Sequence, residues 1–110
     1  MKFTIDGQRF DTDKAEQISN ASYDGSRTDF QWWSETLYRT PRSKRFFLVG
    51  EGGAMTRYAR RVDVNSYTGG ERCDPMTDAE ALAWAEEHMT ADEIDAAFPG
   101  EVSAVKGLQK

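Results

Sequence analysis

The sequence predicts an α+β fold: a small antiparallel sheet of about four strands from two hairpins, packed with two to four short helices. Three observations predict it. Aromatic and β-branched residues cluster in the first half, between turn signals. A continuous apolar run, Phe46–Val49, has the length of one strand. Two threonine-initiated amphipathic segments follow near the C-terminal end. A chain of 110 residues is the size of one compact domain, so 1–110 is expected to share a single core.

The first element is "KFTIDGQRF". Asp6-Gly7 is a type I′ turn signal, which sets Ile5 opposite Gln8 and Phe3 opposite Phe10. "DTDKAEQIS" reads as a short helix, capped at Thr12 or Asp13, with Ala15 and Ile18 facing inward. "SNASYDGSRTD" reads as a polar loop. The second hairpin pairs Trp32–Thr40 with Arg45–Gly50 around Pro41, and its apolar run predicts a central strand covered on both faces. "EGGAMTRYARR" leaves that strand through glycines, with room for φ > 0 and a helical turn at Thr56. "VDVNSYTGGERCDP" reads as a loop hinged at Gly69-Gly70. Thr77 with Glu80 and Thr90 with Glu93 are capping boxes opening two helices. Leu82, Ala85 and Met89 form the apolar stripe of the first, flanked by Ala81 and Trp84; Ile94, Ala97 and Phe98 form that of the second. Pro99-Gly100 ends it, and "EVSAVKGLQK" either adds a turn of helix or frays.

Charge divides the chain. Residues 1–70 carry 11 Lys/Arg against 9 Asp/Glu, and residues 71–110 carry 3 against 10. Partners of opposite kinds would meet these two sectors. In the basic one, Arg42, Lys44, Arg45, Arg57, Arg60 and Arg61 alternate with aromatics, a pattern suited to phosphate contact and base stacking. A sequence pI of about 4.8 argues against direct nucleic-acid binding by the whole chain. In the acidic sector, helix-dipole compensation accounts for Asp78, Glu80, Asp92 and Glu93 better than for Glu86, Glu87 and Asp95, and the candidate partner-binding residues are Glu86, Glu87, Asp92 and Asp95. "GEGGAMTR" lacks the Lys-Ser/Thr ending and the spacing of a phosphate-binding loop. Of Trp32-Trp33, neighbours on a strand face opposite ways, so one is free to serve as a contact.

Catalytic residues are not expected. Cys73 and His88 are the single cysteine and the single histidine, they fall on different elements, and no metal-ligand spacing joins them to carboxylates. No cofactor motif is present. One cysteine excludes an internal disulfide, and no run approaches a membrane span. With no apolar signal core in "MKFTIDG", a soluble cytoplasmic protein is the expectation.

The stretch "DFQWWSETLYRTPRSKRFFLVGEGGAMTRYA" and the later "PMTDAEALAWAE" resemble small proteins encoded by bacteriophages and other mobile elements. Their shared pattern is an "INGxxYDT"-like hairpin, an "ETLYRT…FFL.GEGGA.T.YA" centre and a "PLT..EA..W.E" helix. The resemblance covers nearly the whole chain, with Glu35 to Ala59 its most specific part. The chain departs at "PRSKR", where the pattern has a simpler lysine-glycine turn. Similar small phage proteins include the anti-CRISPR inhibitors, which bind subunits of bacterial surveillance complexes. The resemblance thus implies an inhibitor whose partner is a host protein or ribonucleoprotein, a CRISPR effector subunit. It assigns no binding residue.

Overall fold

In the computed structural model, which describes residues 1–100, a four-stranded antiparallel sheet is sandwiched between two helices and a β-ribbon. The ribbon is β1 (Lys2–Ile5) with β2 (Gln8–Asp11), in the register that the turn signal predicts. Asp6 and Gly7 both take positive φ, 52° and 78°, as a type I′ turn requires.

The sheet has the order β3 (Glu16–Ser22), β4 (Trp33–Arg39), β5 (Phe46–Gly52), β8 (Gly70–Met76). Between β5 and β8 the chain inserts a small outlying ribbon, β6 (Arg60–Asp63) with β7 (Ser66–Thr68). The expected β4–β5 hairpin is present, and β5 is central, buried along Phe46–Gly50. The four strands do not come from two hairpins, however. The first hairpin stands apart as its own layer, and β3 and β8 supply the edges.

Two segments differ from expectation for one reason. The helix expected from Thr12 is a turn, in which Asp11 accepts from Asp13 N–H through its side chain at 3.0 Å and from Ala15 N–H through its carbonyl at 3.1 Å. Strand β3 follows at once and runs into the predicted polar loop. Capping residues supply one local turn here, and ladder bonds to β4 decide the rest. A register shift at Ile18 lets that residue pack on the helix side, while Ala15 packs on the ribbon side. Likewise the expected loop 62–75 contains β6, β7 and β8. Pro75 is tolerated in β8 because that strand is an edge.

Helices α1 (Asp78–His88) and α2 (Ala91–Ala97) begin where the threonines predict, each with a complete capping box. They cover one face of the sheet, closing a core of Leu37, Phe46, Leu48, Ala81, Trp84, Ala85, Ile94 and Phe98. On the other face the β1–β2 ribbon brings Phe10 against Phe47, Val49 and Cys73. Strand period divides β5 between the two: Phe46 and Leu48 go to the helices, Phe47 and Val49 to the ribbon. The expectation for "EVSAVKGLQK" lies outside the described residues. Among the described residues, no helix is long and apolar enough to cross a membrane.

Candidate functional site

The predicted acidic residues share an exposed surface. Glu86 and Glu87 lie near the end of α1, and Asp92 and Asp95 lie on α2, all exposed. Their inward neighbours Trp84, Ala85 and Ile94 are buried, so helical period turns the carboxylates outward. Among the described residues none of the four pairs with a lysine or arginine; Glu87 lies 3.7 Å from the His88 imidazole.

The predicted basic residues are not brought together. Arg42, Lys44 and Arg45 occupy the exposed β4–β5 turn, whereas Arg60 and Arg61 stand on β6 beyond the opposite end of β5. Seven residues of strand put roughly 20 Å between these groups. Arg45 also leans on the first ribbon, donating to Gln8 and lying 5.9 Å from the Phe10 ring centroid. Arg61 donates to the carbonyls of Asp63 and Val64 at 3.2 and 3.1 Å, clasping its own turn.

Arg57, half exposed, reaches back to a residue that pattern reading passed over. Glu35 of β4 is the one charged residue buried in the protein among the described residues. It shares the helix-side face with Leu37, two positions on. Both carboxylate oxygens are engaged: Oε1 accepts from Trp84 Nε1 at 2.8 Å, and Oε2 accepts from the Tyr58 hydroxyl and from Arg57 Nε at 3.3 Å. Burial pushes the Glu35 pKa up, but the hydrogen bonds of Tyr58 and Trp84 and the Arg57 charge outweigh it, so the net shift is downward. Burial and the Glu35 carboxylate push the Tyr58 phenol well up. Arg57 also donates to the Tyr58 oxygen at 2.7 Å and approaches Asp74 at 3.6 Å. Three of the roughly four acceptor sites of this carboxylate are thus taken by protein donors, which makes it an anchor of the fold. The legible signal was strand alternation, which sets Glu35 on the same face as Leu37 and Arg39 in "ETLYR".

Beside this network lies a cleft of about 340 Å³ lined by Gln31, Trp33, Met55, Thr56, Glu87 and His88. His88 packs against the rings of Trp84 and Trp33 at 4.7 and 5.9 Å. Cys73 is on the other face of the sheet, under Phe10, where burial first and Asp74 second push its pKa to about 11. The sheet separates thiol from imidazole. Among the described residues no three His, Cys, Asp or Glu side chains converge on a metal-sized site.

The glycines of "GEGG" have a packing explanation. Gly50 passes directly under the Tyr58 ring, where a Cβ would overlap the phenol oxygen. Neither Gly50, Gly52 nor Gly53 takes positive φ; close approach is what excludes a side chain. Gly53 N–H is spent on the Trp32 carbonyl at 2.8 Å, so it is unavailable to an anion. Trp32 and Trp33 do diverge: Trp33 joins the cleft beside His88, and Trp32 lines a separate groove on the ribbon side.

Compared with protein-family models, curated proteins and solved structures, the chain matches none.

Proposed function

We propose that this protein is a non-catalytic inhibitor of the anti-CRISPR kind, which docks the outer face of α1 and α2 on a basic surface of a CRISPR effector subunit in the bacterial cytoplasm. One observation carries the reading. Glu86, Glu87, Asp92 and Asp95 are exposed on two helices fixed against the sheet, and among the described residues no lysine or arginine neutralises them. Surfaces that hold nucleic acid are built from lysines and arginines aimed at phosphates. Carboxylates held on fixed helices are complementary to such a surface and compete with the phosphate backbone. The resemblance of the Glu35–Ala59 segment to phage proteins supports the same reading. The alternative, a nucleic-acid-binding accessory protein using the arginines, is weakened by the separation of Arg42, Lys44 and Arg45 from Arg60 and Arg61 and by the engagement of Arg57 with Glu35.

The test reverses all four charges: Glu86→Lys, Glu87→Lys, Asp92→Lys and Asp95→Lys. These exposed positions leave the core intact, which circular dichroism checks. Phage survival on a strain with active CRISPR immunity, raised by the wild-type protein, is expected to fall to the level without inhibitor. Undiminished protection by a folded variant overturns the acidic-face reading. Binding of the wild type to the isolated effector complex should weaken as salt rises, since exposed charges are screened within about 10 Å at 0.1 M ionic strength.

A further inference from the structure

The ribbon side of the main sheet is covered over only half its length. Phe10, Phe3 and Ile5 close over Phe47, Val49, Tyr38 and Cys73. Farther along the same face β5 carries Glu51, and the residue directly across from it on β8 is Glu71. Like charges directly opposite on an antiparallel pair repel each other. Here they border a groove of about 620 Å³, with the Trp32 ring on its wall and the backbone of Gly52, Gly53, Gly69 and Gly70 as its floor.

The chain places a cation of its own in this groove. Arg27, from the loop ahead of β4, has its guanidinium carbon 4.4 Å from the Trp32 ring centroid and Nη2 3.5 Å from Glu51 Oε1. Aromatic face and carboxylate together form a cation slot. The hold on Arg27 is loose: its side chain is 74% exposed, and an exposed ion pair at this distance contributes little. Arg60, which also lines the groove, lies along Gly70 by its methylene stem.

We infer that this groove binds the guanidinium or ammonium group of an extended basic peptide segment, and that Arg27 occupies the slot as a tethered stand-in until such a segment displaces it. Trp32 and the Glu51–Glu71 pair receive the cation. Arg27 lowers the apparent affinity of any external ligand by the fraction of time it holds the slot. The site is independent of the acidic helices, which lie across the sheet.

The experiment is a nuclear magnetic resonance titration of the full chain with an acetylated, amidated alanine–arginine–alanine tripeptide. The same tripeptide with citrulline, which keeps the shape and loses the charge, is the control. Saturable shifts are expected at the Trp32 indole N–H and the amides of Gly52, Gly53 and Gly70, with none from the citrulline peptide. Arg27→Ala should tighten binding about three- to tenfold by removing the competitor. Glu51→Gln with Glu71→Gln should weaken it about tenfold or more, in a protein whose dispersed spectrum shows it folded. Equal binding of the citrulline peptide, weaker binding in Arg27→Ala, or no saturable shift in that variant would each overturn the site. Shifts confined to α1 and α2 would overturn it while favouring the acidic-face reading.

Discussion

The two faces of the central sheet treat the same problem differently at the end that carries Gly52 and Gly70. On the helix face, the chain from Gly53 to Ala59 folds back and seals the sheet with a buried charge network around Glu35. On the ribbon face, the Arg27 side chain reaches over Trp32 but stays exposed, and Glu51 with Glu71 remains at the wall of an open groove. Glu35 is paired with Gly50, one residue before Glu51, so near neighbours in one ladder have opposite fates. Whether a carboxylate on a strand is structural or available depends on what covers its face.

The largest expected effect tests the sealed side. Glu35→Ala leaves the buried Tyr58 and Trp84 donors without their acceptor, at about 1–3 kcal/mol for each, while the half-exposed Arg57 turns to water. Glu51→Ala, on the open side, should stay within about 0.5 kcal/mol of wild type. Urea melts measure both, and equal costs would erase the contrast between the faces. The pH dependence sharpens it. Because the folded-state pKa of Glu35 is lowered, its contribution is complete above the ordinary carboxylate value and is lost as pH falls through the lowered one. The stability gap between wild type and Glu35→Gln should therefore narrow between about pH 7 and about pH 3. A gap that stays constant would show that the network carries no net charge effect.

A smaller effect is expected at Gly50, where an added methyl would meet the Tyr58 phenol and push it off Glu35. Gly50→Ala should cost about 1–3 kcal/mol by overpacking. A thermal melt unchanged from wild type would mean that the sealing loop yields freely. A loss smaller than those at Glu35 and Gly50 is expected at a helix cap. Thr77→Ala removes the hydroxyl that accepts from Glu80 N–H at 3.1 Å and should cost about 1 kcal/mol. A loss well above that would make α1 a larger part of the seal than its cap.

The elements legible in sequence are those with local causes. Asp6-Gly7 sets its turn through backbone preference, and Thr77 and Thr90 start helices through bonds reaching three residues. Phe46–Val49 was readable as a central strand because four apolar residues in a row need cover on both faces. The edges β3 and β8 were not readable. "EQISNAS" and "GERCDPM" are polar or contain proline, and they are strands because β4 and β5 offer them unpaired ladder groups. The site was legible in part. The exposed acidic residues of α1 and α2 follow from helical period, whereas Glu35, Arg57 with Tyr58, and Trp84 come from three separate stretches and meet only when the sheet, the loop and α1 assemble.

Composition, turn chemistry and capping by themselves determined an α+β protein with a buried β5, a tight first hairpin and two acid-faced helices. Tertiary structure alone decided that the first hairpin becomes a separate layer, that the arginines scatter to opposite ends, and that Arg27, Trp32, Glu51 and Glu71 border one groove. The reason is physical. Caps and turns act over three or four residues, while edge pairing, charge burial and grooves take their free energy from partners far away in the chain.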